Sequence, residues 1–251
     1  MTTMTANKRL ISNEQAIPLL ATTDIFKDYP DARFALGVVS RSTLPSEGMQ
    51  DLFTAYLKLR ANVYVDQTEM LGQEAKRDDG TEIDGDDKRS THFVAVENRL
   101  SHIAVISSMR VIEKSEENGD PLPIEHFFAM DGSVPVGGNE ISRYIHRLKE
   151  RGAAAEIRSG LFMAALAHIN NNELGPTLAV VESELEDSLL HAQVPLVRIA
   201  EPQWVEQYNS MNIGISIDTA AFAEQFGGPD VMGMIKTEPG DFTYWGKVNN
   251  K

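Results

Sequence analysis

The spacing of apolar positions changes several times along the chain, and each change marks an element. Arg33 to Ser40 (RFALGVVS) is a short apolar run bounded by polar residues, which predicts a buried strand. Beyond Pro45 and Ser46, the residues Met49, Leu52, Phe53, Tyr56, Leu59 and Val63 recur three and four apart. That spacing predicts an amphipathic helix reaching about Tyr64. A polar loop follows from Asp66 to Gly80. His92–Asn98 and His102–Lys114 read as two strands joined by a short polar link, the pattern of an antiparallel hairpin. Gly119 to Phe128 (GDPLPIEHFF) predicts a Pro-rich loop ending in an aromatic pair, and Gly137 to Leu148 another strand. Arg158 to Gly175 predicts a helix stopped by Gly175 with Pro176 behind it. Then come a strand from Pro176, a short helix over Glu184–Gln193 and a strand over Pro195–Glu201.

Strand, helix, a run of antiparallel strands, then helix, strand, helix, strand is the order of an α/β (α+β) domain. Such an order predicts a mixed, mostly antiparallel sheet with helices on both faces, because a purely parallel sheet would alternate strand and helix throughout. No internal repeat or low-complexity tract interrupts it. Residues 1–32 are expected to form an N-terminal extension carrying one helix, 33–202 the domain, and 203–251 an appendage packed on the same domain.

Composition narrows the class. The 251 residues are 42% hydrophobic and 24% charged, the balance of a globular chain. No apolar run approaches the roughly 20 residues of a membrane helix, and the start lacks the apolar core of a secretion signal, so the cytoplasm is the expected location. A formal charge of −14 argues against general nucleic-acid binding. The absence of cysteine excludes disulfides, thiolate metal sites and a cysteine nucleophile.

Several motifs fail. Neither glycine-rich phosphate loop, G-x-G-x-x-G after a strand or G-x-x-x-x-G-K-[ST], occurs, and GISID near Gly214 lacks the second glycine of a nucleophile elbow. The acidic cluster is no EF-hand, since five residues before Gly85 stands Gly80 where an aspartate is required. The six histidines show no metal-ligand spacing, and no metal is expected.

What survives is a set of charges attached to strands. Glu82, Asp84, Asp86 and Asp87 crowd the approach to an apolar run, while Arg110 and Arg143 sit inside apolar segments. A buried guanidinium needs carboxylate or ligand partners, and Asp84, Asp87 and Glu140 are the candidates. Two readings stay open: an internal ion-pair network without chemistry, or a site.

Read in order, LRANVY, EIDGDD, HFVAV, SMRVI, LPIEHFF and NEISRYI resemble the acyl-homoserine-lactone autoinducer synthases and the related N-acyl amino acid synthases. These families share the acyltransferase fold of the GNAT superfamily, and the resemblance covers about Leu59 to Pro202. Carried over by position, Arg60 and Tyr64 match an R-x-x-x-F motif with tyrosine for phenylalanine, and Asp84 and Asp87 match D-x-x-D. Arg110 matches the hairpin arginine, Phe127 or Phe128 an aromatic lining residue, and Glu140 with Arg143 an E-x-x-R motif that also encloses Ser142. A family tryptophan associated with the sulfonium substrate is matched by Met70, which puts S-adenosylmethionine in question as acceptor.

The resemblance implies transfer of a fatty acyl group from an acyl carrier protein or coenzyme A thioester to an α-amine, of S-adenosylmethionine or of an amino acid, with no tightly bound cofactor. The amine arrives as ammonium and must lose a proton, and Glu140 is the expected general base. Strict alternation puts Glu140 and Arg143 on opposite faces of a strand, so a shared role predicts a bulge between them. Arg147, Lys149, Arg151, Gly152 and Arg158, read as a connection between the Glu140 strand and the next helix, are expected to take the pantetheine phosphate or dock the carrier protein. Leu161, Phe162, Met163 and Leu166 either line an acyl tunnel or form plain core. A non-catalytic protein of the same fold is the rival from a different class.

Overall fold

The computed structural model describes residues 16–17, 25–39, 47–99, 102–115, 120–130, 132–226, 240 and 242–245. In chain order the elements are β1 (Ala16–Ile17), β2 (Phe34–Val39), α1 (Glu47–Ala61), β3 (Ser90–Arg99), β4 (His102–Glu113), α2 (Pro123–Phe127) and β5 (Asn139–His146). There follow α3 (Arg151–Asn171), β6 (Thr177–Val181), α4 (Ser183–His191), β7 (Leu196–Val205), β8 (Ser210–Ile217), α5 (Thr219–Phe226) and β9 (Phe242–Trp245).

One mixed sheet runs β7-β8-β6-β5-β4-β3-β2-β9, with β1 added against β4. Every pairing is antiparallel except β5 with β6. Central strands are apolar on both sides, as β2 and β3 show, because helices cover both faces. On one face Leu161, Ala164 and Leu166 of α3 pack with Phe93, Met109 and Val111. On the other, Leu52, Phe53 and Tyr56 of α1 pack with Val94, Val96 and Val105. Beta-strand β5 pairs with β4 only from Ser107 to Glu113, and β1 takes the vacated edge at Ile103 and Ala104. The parallel pair β5–β6 is shorter still, joining Asn139–Ile141 to Thr177–Ala179.

The fold class is the expected one, while four boundaries move. The predicted appendage after residue 202 is part of the sheet: β7 runs through that boundary, and β8 lies between β6 and β7. Ile25, Phe26 and Ala32, placed in an extension, are buried in the α1-side core, and most of the expected N-terminal helix lies outside the described residues. Helix α3 begins at Arg151, so Arg151, Gly152 and Arg158 belong to the helix and not to a connection before it. It also ends at Asn171, with Glu173 in the left-handed conformation (φ 51°) and the Leu174 N–H bonded to Ile169 O at 2.9 Å. Gly175 serves elsewhere: its N–H donates to Gly137 O at 2.7 Å, and a Cβ would meet that oxygen at 3.3 Å.

Candidate active site

The acidic turn owes its shape to the spacing of two aspartates. Asp84 caps a 3₁₀ turn, Gly85–Arg89: its Oδ1 accepts the Asp86 N–H at 3.0 Å, and Asp87 Oδ2 accepts the Asp84 N–H at 2.8 Å. This is a reciprocal capping box, which needs its two side chains three residues apart. Asp84 Oδ1 accepts a second donor besides, and Asp84 Oδ2 and Asp87 Oδ1 are left for other partners.

Three guanidiniums take them. Arg60, at the end of α1, donates to Glu82 and to Asp87, with Nη1 2.5 Å from Asp87 Oδ1. Arg110 on β4 reaches Asp84 at 2.6 Å, Asp87 at 2.9 Å and Ser142 Oγ at 3.0 Å. Arg143 on β5 reaches Asp84 at 2.9 Å and Glu82 at 3.2 Å. Three cations against three carboxylates leave the cluster close to neutral, the condition for burying so much charge. Burial opposes ionisation of Asp84, yet Arg110 and Arg143 outweigh it and hold the carboxyl well below the usual range. For Asp87 burial is likewise outweighed, by Arg60 and Arg110. His92 lies behind this layer with Nδ1 3.0 Å from the Tyr56 hydroxyl. Burial pushes its pKa down to about 3, so it stays neutral.

The expected bulge is present. Ser108 pairs with Ile145 and Arg110 with Ser142, so β5 carries one residue more than β4 over this span, and Arg143 takes φ 51°. Glu140, Ser142 and Arg143 therefore share the α1 face. Arg143 stacks its guanidinium 5.3 Å from the Tyr64 ring centre, and the Tyr64 hydroxyl donates to Tyr144 O at 2.9 Å.

Glu140 is placed differently from the other carboxylates. It is wholly buried, its Oε2 accepts the Ile124 N–H at 2.8 Å, and among the described residues Oε1 has no partner. Burial raises its pKa to about 8, against the smaller opposing effects of the Ile124 N–H and Arg110. The α2 turn that supplies this N–H lies in a segment whose prolines predict only a loop.

A pocket of about 550 Å³ opens beside these groups, walled by Asp84, Arg110 and Arg143, by Pro121, Pro123 and Phe127 of the α2 segment, and by Gln207 and Tyr208. Tyr208 was not singled out by sequence. It comes from the short turn Glu206–Tyr208 between β7 and β8, where its ring meets Phe127 edge-on at 5.0 Å and its hydroxyl lies beside Arg143. Of the aromatic pair, Phe127 lines the pocket, while Phe128 packs near Gly214 and the cluster around Ile112 and Leu122. Met70 packs against the α1-side core and does not line this pocket. Arg60, Asp87 and Glu140 stand behind the wall rather than in it.

The basic residues divide. Arg147 and Lys149 line a second cleft of about 450 Å³ with Arg33, Asn62 and Ala104–Ile106, and Arg147 Nη1 lies 3.0 Å from Asn62 Oδ1. Arg151 and Gly152 are exposed at the start of α3, whose N-cap Glu150 makes no side-chain cap. Arg158 lies further along, close enough to Tyr144 and His146 to influence both. Leu161 and Leu166 are fully buried core, with Phe162 and Met163 packed at its margin.

No protein-family model and no curated protein matches the chain. Solved structures do. A CoA-dependent acyl-homoserine lactone synthase, BjaI, with SAM and isopentyl-CoA, superposes with a TM-score of 0.61 at 18% identity, over 83% of this chain and 95% of that one. The AHL synthase LasI gives 0.57 at 18% identity, over 75% and 91%. FeeM, an N-acyl amino acid synthase from uncultured soil microbes, gives 0.51 at 12% identity, over 77% and 96%. The chain thus shares the fold of these synthases, the one its motifs lead one to expect.

Proposed function

We propose that the protein is an N-acyltransferase of autoinducer-synthase type, moving a fatty acyl group from an acyl carrier protein or coenzyme A thioester to the α-amine of a small molecule. The observation that carries this reading is Glu140: on a fold shared with acyl-homoserine lactone synthases and an N-acyl amino acid synthase, a buried carboxyl with one oxygen unpartnered among the described residues sits behind a pocket walled by Asp84 and Arg143. An acceptor ammonium gives up its proton through one water to the ionised form of Glu140, and the freed amine attacks the thioester carbonyl. The new C–N bond forms as the C–S bond breaks, and the thiol leaves with a proton. Asp84 and Arg143 orient the acceptor's charged ends. The first turn of α3, with Arg151 and the open space over Gly152, is suited to the pantetheine phosphate, and Lys149 to an acidic carrier.

Within this reading the acceptor is S-adenosylmethionine or a free amino acid. Met70, standing where the resemblance places tryptophan and turned away from the pocket, favours the amino acid. The test is to incubate the purified protein with acyl-CoA and acyl carrier protein thioesters of several lengths, offering S-adenosylmethionine and a panel of amino acids, and to identify products by mass spectrometry. Acyl-homoserine lactone assigns the first acceptor and N-acyl amino acid the second. Thioester binding without any product would leave a binding protein and end the catalytic reading.

A further inference from the structure

Behind the pocket lies a second buried ion pair that the proposed chemistry does not use. Lys114 follows the last residue of β4, and its Nζ donates to both oxygens of Glu125 at 2.9 and 2.8 Å and to Val134 O at 2.8 Å. Glu125 is fully buried in the middle of α2 and accepts three backbone N–H groups as well: Leu122 at 2.8 Å, Gly132 at 3.0 Å and Val134 at 3.2 Å. Burial works against its ionisation, but Lys114 and these backbone donors outweigh it, so the carboxyl stays below its ordinary range. The backbone of Lys114 also bonds Gly138 O at 2.9 Å and the Gly137 N–H at 2.7 Å. One residue thus ties the end of β4 to the entry of β5 and, through Glu125, to the segment between them.

We propose that the Lys114–Glu125 pair is a positioning device for Glu140: it fixes the α2 turn so that the Ile124 N–H points at Glu140 Oε2 while Pro123 and Phe127 close the pocket wall. A five-residue helix cannot hold that orientation alone, since isolated helices of this length are unstable in water. Pro123 at its first position has no N–H, which makes Ile124 the first free donor of the turn, and it is this donor that reaches Glu140 at 2.8 Å. On the pocket side Arg89 grips the same segment, with Nη1 2.6 Å from Asp120 O and Nη2 2.7 Å from Pro121 O. The turn is therefore clamped before and behind, and Glu125 is the clamp adjacent to the Ile124 donor.

Other charges also face Glu140: Arg110 from β4, Arg143 from its own strand, Asp86 from the acidic turn and Tyr208 from the β7–β8 turn. None of these is bonded to Lys114 or Glu125. Loosening α2 therefore withdraws the Ile124 N–H from ionised Glu140 and leaves Arg110, Arg143 and Asp86, which stand on other elements, while Tyr208 rests on Phe127 of α2 and is expected to move with it.

The inference rests on Glu140 being the proton acceptor for its catalytic meaning, yet it has a readout independent of turnover. The Glu140 carboxyl is titrated by difference infrared spectroscopy against the Glu140→Gln protein, in the parent, in Glu125→Gln and in Lys114→Met. Loss of one hydrogen bond to a carboxylate is expected to move the midpoint upward by about one pH unit in both variants. The rising limb of kcat/KM against pH is expected to move with it. Leu161→Ala, which opens the α3-side core instead, loses comparable thermal stability and leaves the midpoint in place. An unmoved midpoint in folded Glu125→Gln or Lys114→Met would overturn the proposal, and so would loss of folding in both, which assigns the pair to stability alone. A shifted midpoint in a protein without turnover keeps the positioning role and removes the acyltransferase reading; turnover with no shift does the reverse.

Discussion

The carboxylates of the acidic turn and Glu140 share one face of the sheet and feel the same arginines, yet they hold their protons in opposite ways. Asp84 and Asp87 are ionised because guanidiniums and capping N–H groups surround them. Among the described residues Glu140 lacks such a partner on one oxygen, and burial raises its pKa to about 8. An acid pair that resembles a catalytic motif can be scaffold, while in the proposed reaction a single buried acid behind it takes the proton. Asp84 alone belongs to both sets, being part of the network and part of the pocket wall.

The sharpest way to break this comparison is Glu140→Gln. Turnover is expected to fall roughly a hundred- to ten-thousand-fold, as for loss of a general base, while thioester binding measured by calorimetry persists. Stability should respond in the opposite sense. In the parent, Glu140 titrates higher when folded than its ordinary 4.5, so its contribution is complete below about pH 4.5 and declines as pH rises towards about 8. The glutamine protein is expected to lack that decline in urea unfolding series across the same window.

Arg60→Ala comes next. It strands Glu82 and Asp87 in the interior and is expected to cost about 3–5 kcal/mol in urea unfolding, because breaking a buried pair leaves an uncompensated charge. The network's own pH dependence is the mirror image of Glu140's. Asp84 and Asp87 titrate lower when folded than their ordinary 3.8, so their stabilisation is full above that value and disappears only in stronger acid.

Asp84→Asn is a smaller change, since the amide oxygen still caps the turn. Weakening the ion pairs at a partly exposed position is expected to cost about 1 kcal/mol. Its larger effect should be a raised KM for the acceptor. Smallest of all is Lys149→Ala, an exposed charge, for which a KM increase of less than about fivefold towards a carrier-protein thioester is expected, and one that vanishes at high salt.

Much of this arrangement was legible in the chain. Helix α1 and the β3–β4 hairpin announced themselves by periodicity, because each buries one stripe or runs through the core. The bulge at Arg143 followed from counting alternate positions between two residues that had to meet. The start of α3 was invisible to the same reasoning: in Arg151–Ile157 the helical face is built from Ala153 and Ala154, whose small side chains give little contrast with their neighbours. Likewise, no local pattern reveals that β8, late in sequence, inserts beside β6, or that the turn after β7 delivers Tyr208 to the pocket. Those are long-range pairings, set by which edge of the sheet is free once the earlier strands are placed. Gly175 misled because a glycine required for close passage of two backbones leaves the same signature as one that stops a helix.

The extra residue in β5 also acts as a reading-frame marker for the strand. Beyond it Tyr144 goes to the α3 side, beside Phe162, and Ile145 to the α1 side. Regularising the bulge with the chain unchanged in length would swap those two destinations, pressing a tyrosine into the aliphatic packing behind α1 and an isoleucine into the space left next to Phe162, whereas deleting Arg143 itself would keep both and lose its guanidinium. Loss of the arginine and loss of the bulge are therefore separable: the first removes a guanidinium from the pocket wall, and the second reverses the faces of the two residues that follow.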